Sequence, residues 1–335
     1  MRPVICVVDR LYKRSKDTFD AAGDLEFVTV GRTEAEMQQG IRDSGAKAVV
    51  LATDPYTDAL YATLPKGGLI ARYGVGHDNV DKALATRRGQ FVTITPGVLD
   101  ISVAEHAMTL LTASARRVAQ TDAALKQNQW PRSAGNELAG STLAVIGCGK
   151  IGKRVARIAA FGYDMRVLGV DVADLDPATM RREYGIEMAS SLDEALARAD
   201  FVSIHLPALP ETRHFVDAAF LEKMPDGATI INTARGSLVE ENALFNEVSK
   251  GRINAALDVY ETEPYRPQDP ERDLRRLPDI IMTPHVGSST TQASTRMAER
   301  VIRNIRDWMN GTYTDLDLVN TDVLTTAAKE GPLAQ

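Results

Sequence analysis

Cysteine is scarce in this chain. Only Cys6 and Cys148 occur among 335 residues, far apart and in no metal-ligand spacing, which excludes a disulfide framework and a cysteine-rich metal centre and points to a reducing compartment. Excess basic charge is also missing. Lys and Arg number 39 against 45 Asp and Glu, for a formal net charge of -6, so there is no electrostatic footprint for nucleic acid. No run approaches the roughly 18 apolar residues that suggest a membrane span. The apolar stretch Val4-Ile5-Cys6-Val7-Val8 ends at Asp9, which fits a first buried strand and not a signal peptide. Short repeats and low-complexity segments are absent. These features together read as a soluble, cytoplasmic protein, with no nucleic-acid, membrane or metal partner expected.

What is present is an alternation. The hydrophobic share is 44% and the charged share 25%, as in globular proteins, and 335 residues favour two domains over one. Short apolar runs at 4–8, 26–30, 48–51, 69–73 and 91–94 predict strands, separated by segments of helical composition such as 33–44. A longer helical stretch follows at 102–127. It opens with Ser102-Val103-Ala104-Glu105, which has the form of a capping box. A second series predicts strands at 143–146, 166–170, 201–205, 228–232, 254–258 and 280–283. A helix at 291–310 closes it, with Ala293, Met297, Val301, Ile305 and Trp308 on one stripe and Gly311 as its stop. The tail beyond is polar and expected to be loosely held. Strands alternating with helices imply parallel sheets covered on both faces, hence two doubly wound α/β units. The second is inserted in the first if the last helix packs back on the N-terminal part.

The sharpest local signal is Gly147-Cys148-Gly149-Lys150-Ile151-Gly152, following an apolar strand and preceding a helical run. In such a G-x-G-x-x-G loop the first glycine permits the tight turn. The second lets backbone approach a diphosphate, and the third lets helix and strand pack closely. The helix N-terminus then offers free N–H groups to the phosphates. A second strand ends in Asp171, about 20 residues further on, where a carboxylate can accept ribose hydroxyls and repel a 2′-phosphate. NAD is therefore the expected cofactor, with some tolerance of NADP left open by Arg166, Arg181 and Arg182 nearby, and with Cys148 only a small residue in the turn.

Three further segments each place a polar group just past a predicted strand: Asn232-Thr233-Ala234-Arg235-Gly236, the run from Asp258 to Glu263-Pro264, and Thr283-Pro284-His285. That edge of an open α/β sheet is where ligands bind. An Arg can grip a carboxylate in bidentate fashion. A His can take or give a hydroxyl proton, and a neighbouring carboxylate would orient it. An isolated Arg-Gly is usually a surface turn, and a lone His is more often structural. Three in succession after strands suit hydride transfer to or from a 2-hydroxy acid.

With these motifs assembled, the chain resembles the D-isomer-specific 2-hydroxyacid dehydrogenase family over residues 45–311. The shared features include Arg72-Tyr73-Gly74-Val75-Gly76 with Asp78-Asn79-Val80-Asp81, Thr95-Pro96-Gly97, Val103-Ala104-Glu105-His106, the glycine loop, His205-Leu206-Pro207 and the three strand-end segments. The resemblance implies Arg235, Glu263 and His285 as catalytic residues. It implies substrate contacts from Tyr73, Gly74, Val75 and Gly76, with backbone N–H groups holding the carboxylate beside Arg235. Cofactor contacts would come from Gly147, Gly149, Lys150, Ile151, Gly152, Asp171, His205, Leu206, Pro207, Thr233, Ala234, Arg235, Asp258 and His285, with Asp258 meeting the nicotinamide carboxamide. The implied fold has a flavodoxin-like substrate domain (1–101 and 290–335) with a Rossmann-like NAD domain (102–289) inserted. A homodimer joined around the long helix is also implied.

The implied reaction moves a hydride between NAD and C2 of a small D-2-hydroxy or 2-oxo acid, glyoxylate or hydroxypyruvate first. Phosphoglycerate oxidation of the short type is the alternative substrate reading, and an NAD-sensing corepressor-like scaffold the alternative role. Formate oxidation is disfavoured, since that branch carries Gln where this chain has Glu263. Departures from the family pattern are Ile94 before Thr95, the run Pro207-Ala208-Leu209-Pro210, and a slightly longer stretch at 161–167. They bear on the substrate and leave the catalytic trio intact. His77, His106 and His214 read as structural or surface residues.

Overall fold

A computed structural model describes residues 2–325 of the chain. Contacts divide it into two compact units, one from the stretches up to Leu99 and from Ser289 onward, the other spanning Asp100–Ser288.

The first unit carries β1 (Val4–Val8), β2 (Glu26–Val30), β3 (Ala48–Leu51), β4 (Leu69–Arg72) and β5 (Phe91–Thr93), all parallel in the order β2-β1-β3-β4-β5. The helix Thr291–Met309 belongs to it. Its Ala293, Met297, Val301 and Ile305 are buried, while Trp308 is half-buried and donates from Nε1 to Gly67 O at 2.9 Å. Gly311 follows at φ +73°, the left-handed stop that glycine accepts without strain.

The tail departs from expectation. Residues 317–320 run beside β5. Val319 N donates to Val92 O, Ile94 N donates to Asp317 O, and buried Asn320 accepts from Val92 N. Its polar composition hid this, because Asn320 satisfies backbone groups that an edge strand would otherwise leave open. Residues 326–335 lie outside the described part of the chain.

The second unit carries β6 (Thr142–Ile146), β7 (Arg166–Val170), β8 (Ile186–Met188), β9 (Phe201–Ile204), β10 (Thr229–Asn232), β11 (Asn254–Leu257) and β12 (Ile280–Met282). All pair in parallel, in the order β12-β11-β10-β9-β6-β7-β8, so strand order reverses between β6 and β9. Period-two alternation splits the core into two layers. Ala144, Ile146, Ile230, Ala255 and Leu257 pack on one face, and Leu143, Val145, Ile231 and Ala256 on the other. Both faces are thus apolar, which is why these strands read as continuous hydrophobic runs. Edge strand β8 had not been anticipated, since exposed Glu187 at its centre interrupts the apolar run.

The long helix differs in two ways from its sequence pattern. It begins at Asp100, two residues before the expected cap, so Ser102 is buried inside the helix and does not occupy its N-cap. It also ends at Ala115 and restarts as Val118–Lys126, with Arg117 left-handed at φ 53°. No Gly or Pro marks the break. Ala115 O accepts instead from Asn136 N at 2.8 Å, and Arg117 pairs with Asp279 at 3.0 Å, so tertiary contacts end the helix. No helix of the described residues is long and apolar enough to cross a membrane.

Candidate active site

The glycine loop occupies the point where the second sheet reverses its order. Gly147 leaves β6 at φ +95°, and a Cβ there would stand 2.7 Å from His205 O, so both conformation and packing require glycine. The helix Lys150–Gly162 starts next, with Gly149 at its N-cap. A Cβ on Gly152 would reach 2.0 Å from Gly147 O, which makes this the contact that seats the helix on the turn. At Gly149 a Cβ would meet no described atom within 4 Å, so its open side faces outward before the helix N-terminus. There the N–H groups of the first turn, including Lys150 and Ile151, have no intrahelical acceptor and suit a diphosphate.

Asp171 follows β7 and is pinned against this loop. Its carboxylate accepts from Cys148 N at 2.6 Å and Ala173 N at 2.8 Å. His205, Leu206 and Pro207 follow β9. The half-buried His205 ring bonds to Ser203 Oγ at 2.9 Å, and burial depresses its pKa to about 4, so the imidazole is neutral at physiological pH. Leu206 lies against Gly147, while Pro207 is exposed and its carbonyl accepts from Thr212 Oγ1. Thr233 Oγ1, past β10, is buried without a hydrogen-bond partner among the described residues. An orphaned hydroxyl is costly unless a ligand satisfies it. The open face of Gly149, the free helix amides, the Asp171 carboxylate and this hydroxyl all fit a bound dinucleotide.

The chemical groups emerge from the same sheet edge. Past β10, Asn232 shapes the turn, donating to Arg235 O at 2.8 Å and accepting from Ala234 N at 3.0 Å. Arg235 Nη1 donates to Ala234 O at 2.7 Å. A Cβ on Gly236 would lie 1.9 Å from the Tyr260 carbonyl carbon, so the Arg235 turn sits directly against the loop that follows β11. That loop carries Glu263, whose Oε1 accepts from Tyr260 N at 3.1 Å. His285 Nδ1 bonds to Glu263 Oε2 at 2.6 Å, with both side chains 30% exposed: sheltered, yet open to a ligand. With Nδ1 donating to the carboxylate, Nε2 is the nitrogen left to exchange a proton with substrate. His285 itself is left-handed at φ 54°, a conformation that costs energy away from glycine and marks functional positions.

Asp258, at the end of β11, is 1% exposed. Burial alone would raise its pKa. Hydrogen bonds from His106, Thr283 Oγ1, Val286 N and Gly287 N outweigh that and hold the carboxyl below the usual range. Its Oδ1 receives Thr283 Oγ1 at 2.6 Å and Val286 N at 2.9 Å, and its Oδ2 receives Gly287 N at 2.8 Å.

Residues 108–287 match the model for the NAD binding domain of D-isomer specific 2-hydroxyacid dehydrogenase. A hydroxypyruvate reductase of Thermotoga maritima is 40% identical over 303 residues, covering 89% of this chain and 96% of that protein. The chain belongs to the D-isomer specific 2-hydroxyacid dehydrogenase family. A D-3-phosphoglycerate dehydrogenase of Mycobacterium leprae is 39% identical over 326 residues, 96% of this chain, but the chain spans only 59% of that longer relative. Among solved structures, a D-lactate dehydrogenase of Aquifex aeolicus complexed with NAD and lactic acid superposes with a TM-score of 0.79. It is 26% identical, with 95% of this chain and 99% of that one covered.

In the first unit, the segment expected to meet substrate follows β4. The Tyr73 phenol is buried and committed to Ser15 Oγ at 2.7 Å and Ser294 O at 2.6 Å, so its side chain anchors the loop and has no hydroxyl to spare. Gly74 adopts φ +144° above the Arg72 guanidinium, and Val75 and Gly76 follow half-buried, with His77 Nδ1 bonded to Val75 O at 3.0 Å. Asn232 and Thr283 lie within the strand-end segments but without an expected role, and His106 reads from sequence as structural or surface. An Asn closing a strand and initiating a turn is a readable local sign for the first; the other two have none.

Proposed function

We propose that this chain is an NAD-dependent D-2-hydroxyacid dehydrogenase, using Arg235, Glu263 and His285. The 2.6 Å bond between His285 Nδ1 and Glu263 Oε2 carries the reading, because it orients a proton-exchanging imidazole on the sheet edge that also bears the glycine loop. Bound NAD supplies the hydride acceptor or donor. In oxidation, His285 Nε2 takes the C2 hydroxyl proton, and in reduction it returns one. Glu263 fixes the ring and balances its charge. Arg235 holds the substrate carboxylate and polarises the C2 oxygen, an electrostatic contribution worth roughly 100-fold in rate. Asp171 favours NAD over NADP, and Oδ2 of Asp258, which takes a single donor, retains capacity for the nicotinamide carboxamide.

Glyoxylate and hydroxypyruvate are the favoured substrates, supported by the near-complete coverage of the hydroxypyruvate reductase relative. The decisive experiment follows NADH consumption with glyoxylate, hydroxypyruvate, pyruvate and 3-phosphohydroxypyruvate. His285→Asn should abolish turnover while NADH affinity stays within about threefold. Near-normal turnover in that variant would remove His285 from the mechanism, and no turnover of any 2-oxo acid by the natural chain would favour an NAD-sensing scaffold.

Self-association to a homodimer is part of this reading. Val118, Leu125 and Trp130, with 51%, 54% and 75% exposure, are large apolar side chains left open after the helix break, surface that a second copy would cover. Leu125→Glu with Trp130→Ala should halve the mass seen by light scattering. Two buried, free cysteines accord with a reducing cytoplasm.

A further inference from the structure

His106 lies on the helix Asp100–Ala115, far in sequence from the catalytic segments, yet it touches the residue that shapes them. Its Nε2 is 3.0 Å from Thr283 Oγ1 and 3.2 Å from Asp258 Oδ1. The Thr283 hydroxyl proton is already directed to Asp258 Oδ1 at 2.6 Å, so His106 must be the donor in its own bonds, with Nε2 protonated. Asp258 is held through both carboxylate oxygens. His106, Thr283 and the Val286 amide converge on its Oδ1, the Gly287 amide binds its Oδ2, and Asp258 O accepts from His285 N at 2.8 Å. The strained φ of 54° at His285 therefore sits between backbone groups that Asp258 grips. A Cβ on Gly287 would stand 3.1 Å from Asp258 Oδ2 and 3.7 Å from the His106 ring, so little room for a side chain is left between them.

We propose that His106 is a positioning residue for His285: by donating to Thr283 and Asp258 it fixes the carboxylate that holds residues 285–287 in the geometry the Glu263–His285 pair requires. The inference rests on the hydride-transfer reading for its effect on rate, and on geometry alone for its effect on the loop. His106 never touches substrate in this scheme. Its loss takes one donor from Oδ1 of Asp258, the oxygen that also binds Val286 N, so the carboxylate is less firmly fixed and relaxes its hold on Val286 and Gly287. A hydrogen bond to a charged group is strong enough for its loss to be read as a change of about tenfold.

The test compares His106→Leu, which removes the donor, with His106→Gln, which places an amide N–H near the position of Nε2. Amide hydrogen exchange at Val286 and Gly287 is followed beside steady-state kinetics and thermal unfolding. His106→Leu should speed exchange at both amides about tenfold and lower kcat about tenfold, with KM for the 2-oxo acid within about twofold. His106→Gln should restore exchange and kcat to within about threefold. Unchanged exchange in the Leu variant, or a Gln variant as impaired as Leu, would overturn the proposal. Should the Leu variant fail to fold, Thr283→Val removes the bridging hydroxyl and is read by the same exchange. If the natural chain turns over no 2-oxo acid, the hydride-transfer reading fails, while the exchange arm still decides the role of His106.

Discussion

Two glycines three positions apart in the same loop should respond to one substitution in opposite ways. At Gly149 the backbone (φ −73°, ψ −164°) accepts alanine, and the new methyl meets no described atom within 4 Å. Replacing an N-cap glycine by alanine costs about 0.5–1 kcal/mol, and the reduced freedom of the unfolded chain returns about 0.4–1. Gly149→Ala should therefore leave Tm within about 2 °C. The methyl projects before the helix N-terminus, where the diphosphate would sit, so NADH affinity should fall tenfold or more, about 1.4 kcal/mol.

At Gly152 the helical backbone also accepts alanine, and in an exposed helix that change would stabilise by about 1 kcal/mol. Here the methyl would lie 2.0 Å from Gly147 O and 3.1 Å from Val145 Cγ1. Backbone must move, overpacking of this kind costs about 1–3 kcal/mol or more, and Tm should drop by about 5–10 °C in a unit of this size. Differential scanning fluorimetry and NADH fluorescence titration on both variants measure the two effects. Wild-type NADH affinity in Gly149→Ala, or a Tm loss there equal to that of Gly152→Ala, would refute the assignment of the loop.

Three further outcomes are expected. Asp171→Ala should weaken NADH at least tenfold and narrow or reverse the preference over NADPH, measured by titration with both nucleotides; equal affinities before and after would remove the discriminating role from this carboxylate. His205, with its pKa depressed from 6.5 to about 4, binds its proton more readily in the unfolded chain. Stability it contributes is therefore complete above about pH 6.5 and declines as pH falls toward 4, by at most about 3 kcal/mol. Denaturant titrations at pH 7.5 and 4.5 should show a smaller difference for His205→Gln. Burial raises the Cys148 thiol to about 12 and also raises Cys6, so iodoacetamide at pH 8 should label neither until the chain is unfolded.

Much of this architecture is legible in the sequence because parallel strands are buried on both faces and announce themselves as unbroken apolar runs. The glycine loop is equally legible, since Gly147 and Gly152 answer steric demands within the chain and Gly149 leaves the helix N-terminus open. The site was readable as three polar segments after strands, though not as contacts. Only the fold brings Gly236 against Tyr260 and thereby sets the Arg235 turn beside the Glu263 loop. Where reading failed, long-range partners decided. Ser102 and Glu105 have the composition of a cap but lie inside a helix that starts earlier. The break at Arg117 is made by Asn136 and Asp279, which no local pattern reveals. Asn320 looks like a tail residue until Val92 is beside it, and nothing local announces the bond between His106 and Thr283, 177 positions apart.

The unit built from both stretches of the chain has a consequence for synthesis. Tyr73 finds its acceptor at Ser294, and Ser15 donates to the same carbonyl across 279 positions. As the chain leaves the ribosome, the contiguous span Asp100–Ser288 has every strand of its sheet to hand, whereas the first five strands must wait for the helix that begins at Thr291. The nucleotide-binding part is thus free to fold first, and its completion delivers the segment without which the earlier-made part cannot close.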